Sequence, residues 1–200
     1  MLVTKLEPFG SRVKIYINND FAFVLYKGEI SKYGLKEGQE IPSNTYSVIM
    51  NKLFDRGKER ALYMLDKSYK TKRYIMDKLK AGLYPESIID KVVAFLEEIN
   101  LINDLRYAEM YIDYKRATKS KKQIVQDLYV KGVDKKLIDQ AFEESDFSDT
   151  ESLKKYIEKR KNKYDLSDRK DIQKFYSYLV SKGYSYGDVK DALKDYIDEN

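Results

Sequence analysis

Polar and apolar residues alternate through Arg12-Val13-Lys14-Ile15-Tyr16-Ile17, and a second apolar run covers residues 21–25. Asn18-Asn19-Asp20 lies between them and supplies turn chemistry. Period-two runs on either side of an Asn/Asp turn predict a β-hairpin. A lone hairpin is marginal in water, so this one is expected to pack on a helix. Tyr46, Ile49, Met50 and Leu53 have the one-face spacing to supply it. Residues 28–33 predict a short helical turn, and Gly34, Gly38 and Pro42 punctuate the chain after it.

From Asp55 onward the period changes to three and four. Ala61, Leu62 and Leu65 open the series, followed by Ile75 and Leu79, then Ile88, Val92, Leu96 and Ile99. Similar sets recur to the end: Ala108, Tyr111, Ile112; Ile124, Leu128; Ile138, Ala141, Phe142; Leu153, Tyr156, Ile157; Ile172, Phe175, Leu179; Val189, Leu193, Tyr196. They predict helices of roughly 9–15 residues, too short to be stable alone. Gly82, Gly132 and Gly183 are each expected to end a helix in the left-handed conformation. Ile88, Ile138 and Val189 follow them by six residues; Leu128 and Leu179 precede the latter two by four. Leu79 precedes Gly82 by only three, so the first repeat reads one residue short. A period of about 50 residues points to tandem units that bury their faces on one another. The expected fold is mainly α: an elongated tandem array of three three-helix repeats with a small N-terminal β-hairpin-containing extension. The expected divisions are the extension at 1–54 and repeats at 55–103, 104–146 and 147–200.

Composition narrows the chemistry. Of 200 residues, 42% are hydrophobic and 36% charged, which suits a shallow, distributed core. Tyrosine alone accounts for 19, and its amphipathic ring fits such a core. There is no Cys, His or Trp. A disulfide, a thiolate nucleophile, a Cys/His zinc site, a histidine base and a Ser-His-Asp triad are all excluded. The segment 165–171 lacks the glycine and terminal glutamate of a calcium loop. No phosphate-binding glycine loop precedes a helix. No metal or cofactor is expected, and an enzyme is the least favoured class. No apolar run approaches a membrane span, and the first ten residues lack a signal-peptide core. A soluble, cytoplasmic, monomeric protein without membrane contact is expected.

The net charge of +5 leans toward polyanionic or acidic partners. Three basic clusters carry it: Lys67, Lys70, Lys72, Arg73, Lys78 and Lys80; Lys115, Arg116, Lys119, Lys121 and Lys122; and Lys154, Lys155, Lys159, Arg160, Lys161 and Lys163. Each falls near the joint between the first and second helix of a unit. Lysine runs are often no more than solvated faces, but three in register suit a long polyanion or a helical assembly. Tyr69, Tyr74, Tyr114 and Tyr164 flank the clusters and have the chemistry either to stack on bases or to fill the core.

The segment Leu101-Ile102-Asn103-Asp104-Leu105-Arg106-Tyr107-Ala108 resembles the signature of the RecX family, bacterial regulators of the RecA recombinase. Asp104, Arg106, Tyr107 and Ala108 hold the matching places. The resemblance continues upstream in Ala61-Leu62-Tyr63-Met64-Leu65, Lys72-Arg73 and Leu79, and downstream in Lys121-Lys122-Gln123-Ile124 and the glycine-aromatic-serine stretch Gly183-Tyr184-Ser185. The hairpin region looks like the N-terminal extension of Gram-positive members, so nearly the whole chain is covered. In the residues themselves, Asp104 is placed to cap the helix that begins near Arg106, so the signature is structural, binding, or both. Arg106 would be unfavourable near a helix start and is expected to pair with Glu97 or Glu98 or to face a ligand.

The resemblance implies a negative regulator that binds the groove of the RecA–single-stranded-DNA filament and inhibits its ATPase, strand-exchange and coprotease activities. The residues expected to contact filament or DNA are Lys72, Arg73, Arg106, Arg116, Lys121 and Lys122. A stand-alone basic DNA-binding protein is the alternative. Single-stranded DNA is an expected partner, met directly or through the filament.

Overall fold

The computed structural model describes residues 1–197 and opens with strands β1 (Val3–Phe9), β2 (Arg12–Ile17) and β3 (Asp20–Tyr26), antiparallel in that order. The β2–β3 hairpin turns at Asn18 and Asn19, whose φ values of 51° and 73° are the left-handed pair of a tight hairpin turn. The hairpin is as the alternation predicts, but β1 is an addition. Its period is hidden by a register shift between Val3 and Lys5, so the inward Val3 and Leu6 are three residues apart rather than two. Pro8 is tolerated because β1 is an edge strand.

Helix α1 (Lys27–Lys32) follows, then α2 (Ser43–Lys67), α3 (Lys72–Ala81) and α4 (Glu86–Glu98). At 25 residues α2 exceeds the expected length and runs unbroken across residue 54. Its early turns cover the sheet through Tyr46, Ile49 and Leu53, and its later turns pack against α4. A β-carbon on Gly57 would lie 2.9 Å from Val92 Cγ2, so that crossing depends on the missing side chain. One core joins Ile15, Phe23 and Leu25 of the sheet to Ile49, Leu53, Ile75, Leu79 and Val92 of the helices. Each such fully buried aliphatic contributes about 1.5–3 kcal/mol, which is how α2 stabilises an otherwise marginal sheet.

The chain divides into two compact units, Met1–Ile102 and the residues from 103 on. The second contains α5 (Asp104–Lys115), α6 (Lys121–Val130) and α7 (Lys135–Glu143), then α8 (Asp149–Glu158), a 3-10 turn (Lys161–Lys163), α9 (Arg169–Ser181) and α10 (Tyr186–Ile197). The first three helices enclose Ile112, Ile124, Leu128 and Ile138. The last three enclose Ile157, Phe175, Leu179 and Val189.

The helix stops need one correction. Gly132 and Gly183 adopt the expected left-handed conformation, with φ of 83° and 94°. Gly82 does not: its φ is −78°, and the left-handed residue is Leu83 at φ 64°. In all three repeats the residue after this one precedes the next helix cap: Leu83-Tyr84-Pro85, Gly132-Val133-Asp134 and Gly183-Tyr184-Ser185. The closing hydrogen bonds correspond, with Tyr84 N–H donating to Leu79 O at 3.3 Å and Val133 N–H to Leu128 O at 3.1 Å. Leu79 is thus four residues before its left-handed partner, and the first repeat is not short. A leucine stands where glycine would be unstrained, at a cost of about 1–2 kcal/mol.

Candidate nucleic-acid interface

The second helix of every repeat begins in the same way. Thr71 caps α3, Ser120 caps α6 and Asp168 caps α9, each side chain accepting a backbone N–H of the first turn. Two cations follow at once: Lys72-Arg73, Lys121-Lys122 and Arg169-Lys170. The pairs are 49 and 48 residues apart. The caps are local chemistry, satisfying amides that have no partner within the helix. The cations are not explained that way. The N-terminal end of a helix carries partial positive charge, and each cation there costs about 0.3–1 kcal/mol. Two cations beside the amides of a helix N-terminus instead make a favourable setting for an anion such as phosphate.

The expected contact residues fall into separate places. In the first unit, Lys72 lies 2.9 Å from Glu97 Oε1, and Arg73 reaches Asp77 at 3.6 Å with both side chains mostly exposed. In the second unit, Arg116, Lys121 and Lys122 gather at the α5–α6 joint. Arg116 donates to the Asp146 carbonyl at 2.9 Å and lies 3.5 Å from Asp113. Lys121 presents its ammonium 4.8 Å from the Phe142 ring centre, and the Lys122 stem passes beside Gly183. Arg106 is an exposed third-position residue of α5, ten residues before Arg116 and therefore about 15 Å away along the axis. It does not belong to the joint cluster.

Two readings of the signature segment change. Asn103, not Asp104, caps α5, its side chain accepting from Arg106 N–H at 2.9 Å. Asp104 is the first helical residue, where a carboxylate favours the dipole. Ala108 is fully buried in the core of the second repeat, and Tyr107 stacks on Tyr111 with ring centres 6.2 Å apart. Of the tyrosines beside the clusters, Tyr69, Tyr74 and Tyr114 are exposed. Lys115 lies 4.4 Å from the Tyr114 ring. Tyr164 instead stacks on Phe175 at 4.3 Å and serves the core. Arg169 and Lys170 are the pair that charge counting missed, because neighbouring Asp165, Asp168 and Asp171 dilute the run. The recurrence of a capping residue followed by two cations at the repeat period was the signal for them.

Around the α5–α6 joint the polar groups are satisfied. Ser120 Oγ, fully buried, donates to Lys182 O at 2.7 Å. Ser152 Oγ donates to Lys119 O at 2.8 Å and lies 3.0 Å from the Tyr184 hydroxyl. Lys121 N–H donates to Asp149 at 2.8 Å. Within this unit the second and third repeats are therefore bonded at the point where Lys121 and Lys122 emerge. Asp127 takes hydrogen bonds from Lys119 and from the Tyr111 hydroxyl. Burial pushes its carboxyl up, but those bonds outweigh burial and hold it below the usual carboxylate range. Burial, and then the bond to Asp127, pushes the Tyr111 phenol well up. Among the described residues no group of three or more carboxylates is placed to hold a metal, and no helix is long and apolar enough to cross a membrane.

Comparison with known proteins converges on one family. Residues 103–141 match the model of the RecX second three-helix domain, and residues 148–193 that of the third. The chain is 33% identical over 199 residues to the regulatory protein RecX of Clostridium tetani, covering 96% of this chain and 92% of the relative. It is 33% identical over 190 residues to that of Clostridium beijerinckii, covering 92% and 88%. A crystal structure of a regulatory protein RecX superposes with a TM-score of 0.64 at 26% identity, covering 97% of this chain and 98% of the other. The crystal structure of RecX from Lactobacillus salivarius gives 0.65 at 27% identity, covering 75% and 99%.

Proposed function

The chain belongs to the RecX family of regulatory proteins, and from that membership we propose that it is a negative, non-enzymatic regulator of the RecA recombinase. It acts in the cytoplasm as a monomer on the RecA–single-stranded-DNA filament. Lying in the filament groove, it inhibits the ATPase, strand exchange and coprotease activities. The extension at 1–54 and the repeats at 55–103, 104–146 and 147–200 are the segments that engage it. The observation that carries this reading is the cation pair at the start of the second helix in every repeat. Three such pairs at nearly equal sequence intervals suit a ligand that is itself periodic and anionic, and weak contacts add when all can engage at once. Lys72, Arg73, Lys121 and Lys122 belong to these pairs; Arg106 on α5 and Arg116 at its C-terminal end add charge. The same pairs would serve a stand-alone DNA-binding protein.

The test is the single-stranded-DNA-dependent ATPase of the cognate RecA, titrated with this protein and with a Lys121→Glu/Lys122→Glu variant. Inhibition near stoichiometric ratios that excess DNA does not relieve, and that the variant loses, supports the reading. Circular dichroism and the urea midpoint of the variant are followed alongside, so that loss of inhibition is read only where the fold is retained. An unaffected ATPase, alongside tight and salt-sensitive DNA binding by the protein alone, would instead establish the DNA-binding alternative.

A further inference from the structure

The strongest unassigned feature is a cavity in the first unit, between the N-terminal sheet and the first helical repeat. It holds about 60 Å³ and is walled by Arg12 of β2, Tyr26 of β3, Arg56 and Arg60 of α2, and Leu83 and Tyr84 of the α3–α4 connection. We propose that this cavity is a binding site for a phosphate group.

No carboxylate lines the cavity. Arg56 is neutralised, since both its terminal nitrogens bond Glu29 and its guanidinium lies 4.8 Å from the Tyr26 ring centre. The other two arginines are not neutralised. Arg12 makes one long hydrogen bond, 3.5 Å to the Gly82 carbonyl, lies 5.2 Å from the Phe9 ring centre, and has no ion pair among the described residues. Among them Arg60 makes neither a hydrogen bond nor an ion pair. The half-buried Arg12 and the exposed Arg60 thus bring two guanidiniums without a carboxylate partner to the rim of one small cavity, a setting that favours an anion.

Donor chemistry and volume point the same way. Arg60, Arg56 and Arg12 all act on the half-buried Tyr84 phenol, and burial keeps that phenol protonated and able to donate. The arginine and tyrosine side chains thus offer N–H and O–H donors from three elements. Planar guanidinium forks arriving from different directions suit a tetrahedral oxyanion better than a planar carboxylate. The volume of about 60 Å³ is several times the roughly 10–15 Å³ that a single water needs, which leaves room for a small polyatomic anion.

Backbone strain marks the same spot. Leu83 has φ 64° where the other two repeats place glycine, and it forms part of the wall. A strained non-glycine residue at a cavity lining is more easily explained by the cavity than by the helix stop, which glycine would serve without cost.

The proposal stands apart from the recombinase reading, and its test contains no recombinase. Calorimetric titration of the full chain with inorganic phosphate, in chloride buffer of matched ionic strength, should show one saturable site. Arg60→Gln and Arg12→Gln should each weaken it at least about tenfold, the loss of one charge-assisted hydrogen bond. Arg60 is exposed and bonds nothing that the fold needs, so its variant should match the wild type in circular dichroism and urea midpoint. Absence of saturable binding, or equal binding by both variants, would overturn the site. A second arm uses an eight-residue oligothymidylate with and without a 5′-phosphate. A gain from the 5′-phosphate that Arg60→Gln removes identifies a phosphomonoester. Equal binding of both oligonucleotides that Arg60→Gln weakens identifies a phosphodiester. Binding that Arg60→Gln leaves unchanged for both overturns the proposal.

Discussion

Replacing Gly183 by alanine should separate backbone strain from steric coupling at the joint between the second and third repeats. Gly183 has φ 94°, and a β-carbon there would sit 2.9 Å from Ser120 Oγ and 3.1 Å from Lys122 Cβ. The left-handed conformation costs alanine about 1–2 kcal/mol. Displacing Ser120 adds to this, because its buried hydroxyl donates to Lys182 O at 2.7 Å and accepts from Gln123 N–H at 3.3 Å. Leaving such a buried group unsatisfied costs about 1–3 kcal/mol. The total is about 2–5 kcal/mol. With a urea slope near 2 kcal/mol/M, the midpoint followed at 222 nm should fall by about 1–2.5 M.

Gly34→Ala is the control. Its φ is 62°, but nothing lies within 4 Å of the added carbon, so only the backbone cost of about 1–2 kcal/mol should appear. The second control is a double-mutant cycle with Ser120→Ala. With the hydroxyl gone, Gly183→Ala should cost only the backbone share and the remaining contact with Lys122, leaving a coupling to Ser120 of about 1–3 kcal/mol. If Gly183→Ala costs no more than Gly34→Ala, or costs the same with and without Ser120, the steric account of the joint is refuted.

Other outcomes follow from the same geometry. Asp127→Asn weakens the Lys119 and Tyr111 bonds and should cost about 1–3 kcal/mol in urea unfolding. In the wild type this carboxyl is held below its usual value. Its contribution is complete above about pH 4 and lost as pH falls through the folded-state value, so the variant should show a flatter acid limb. Tyr156 is pushed up to about 12 by burial and then by its hydrogen bond to Tyr178. Its neutral form is favoured in the folded state, so its contribution is intact below about pH 10 and lost as pH rises toward 12. Phenolate absorbance and circular dichroism followed together should show late-titrating tyrosines ionising as helix is lost. Titration of every tyrosine near pH 10 with helicity intact would disprove this.

The repeats could be read from sequence because their signal is periodic burial. Leu128, Leu179 and the glycines after them fall where any three-helix unit must place a core residue and a stop. Where a local rule had a competitor, the reading failed. A glycine beside the true position drew the left-handed assignment away from Leu83, a residue that backbone preference argues against. Asp104 drew the cap away from Asn103, since both side chains can cap and only the backbone distinguishes them. The strand β1 was lost to a bulge that breaks the period of two. The cation pairs of the first two repeats were visible in the charge pattern. The third was hidden by acids, one of which is its own helix cap. The arginine cavity could not be seen at all, because Arg12, Arg56 and Arg60 meet only when the sheet folds onto α2.

The backbone around the second pair explains how Lys121 and Lys122 are placed. Ser120 caps α6 through one lone pair and joins the third repeat through its proton. The next residue, Lys121, is fixed by its backbone N–H to Asp149 on α8. The cations at positions 121 and 122 therefore emerge from backbone held by two repeats at once, and both residues are exposed, with the Lys121 ammonium beside the Phe142 ring. Restraining the backbone lowers the entropy lost when a ligand is engaged, and exposed ammonium groups avoid a desolvation cost in the unbound state. Loosening the joint should thus weaken anion binding without removing any charge. Ser120→Ala, which leaves both lysines intact, is the variant in which those two effects part.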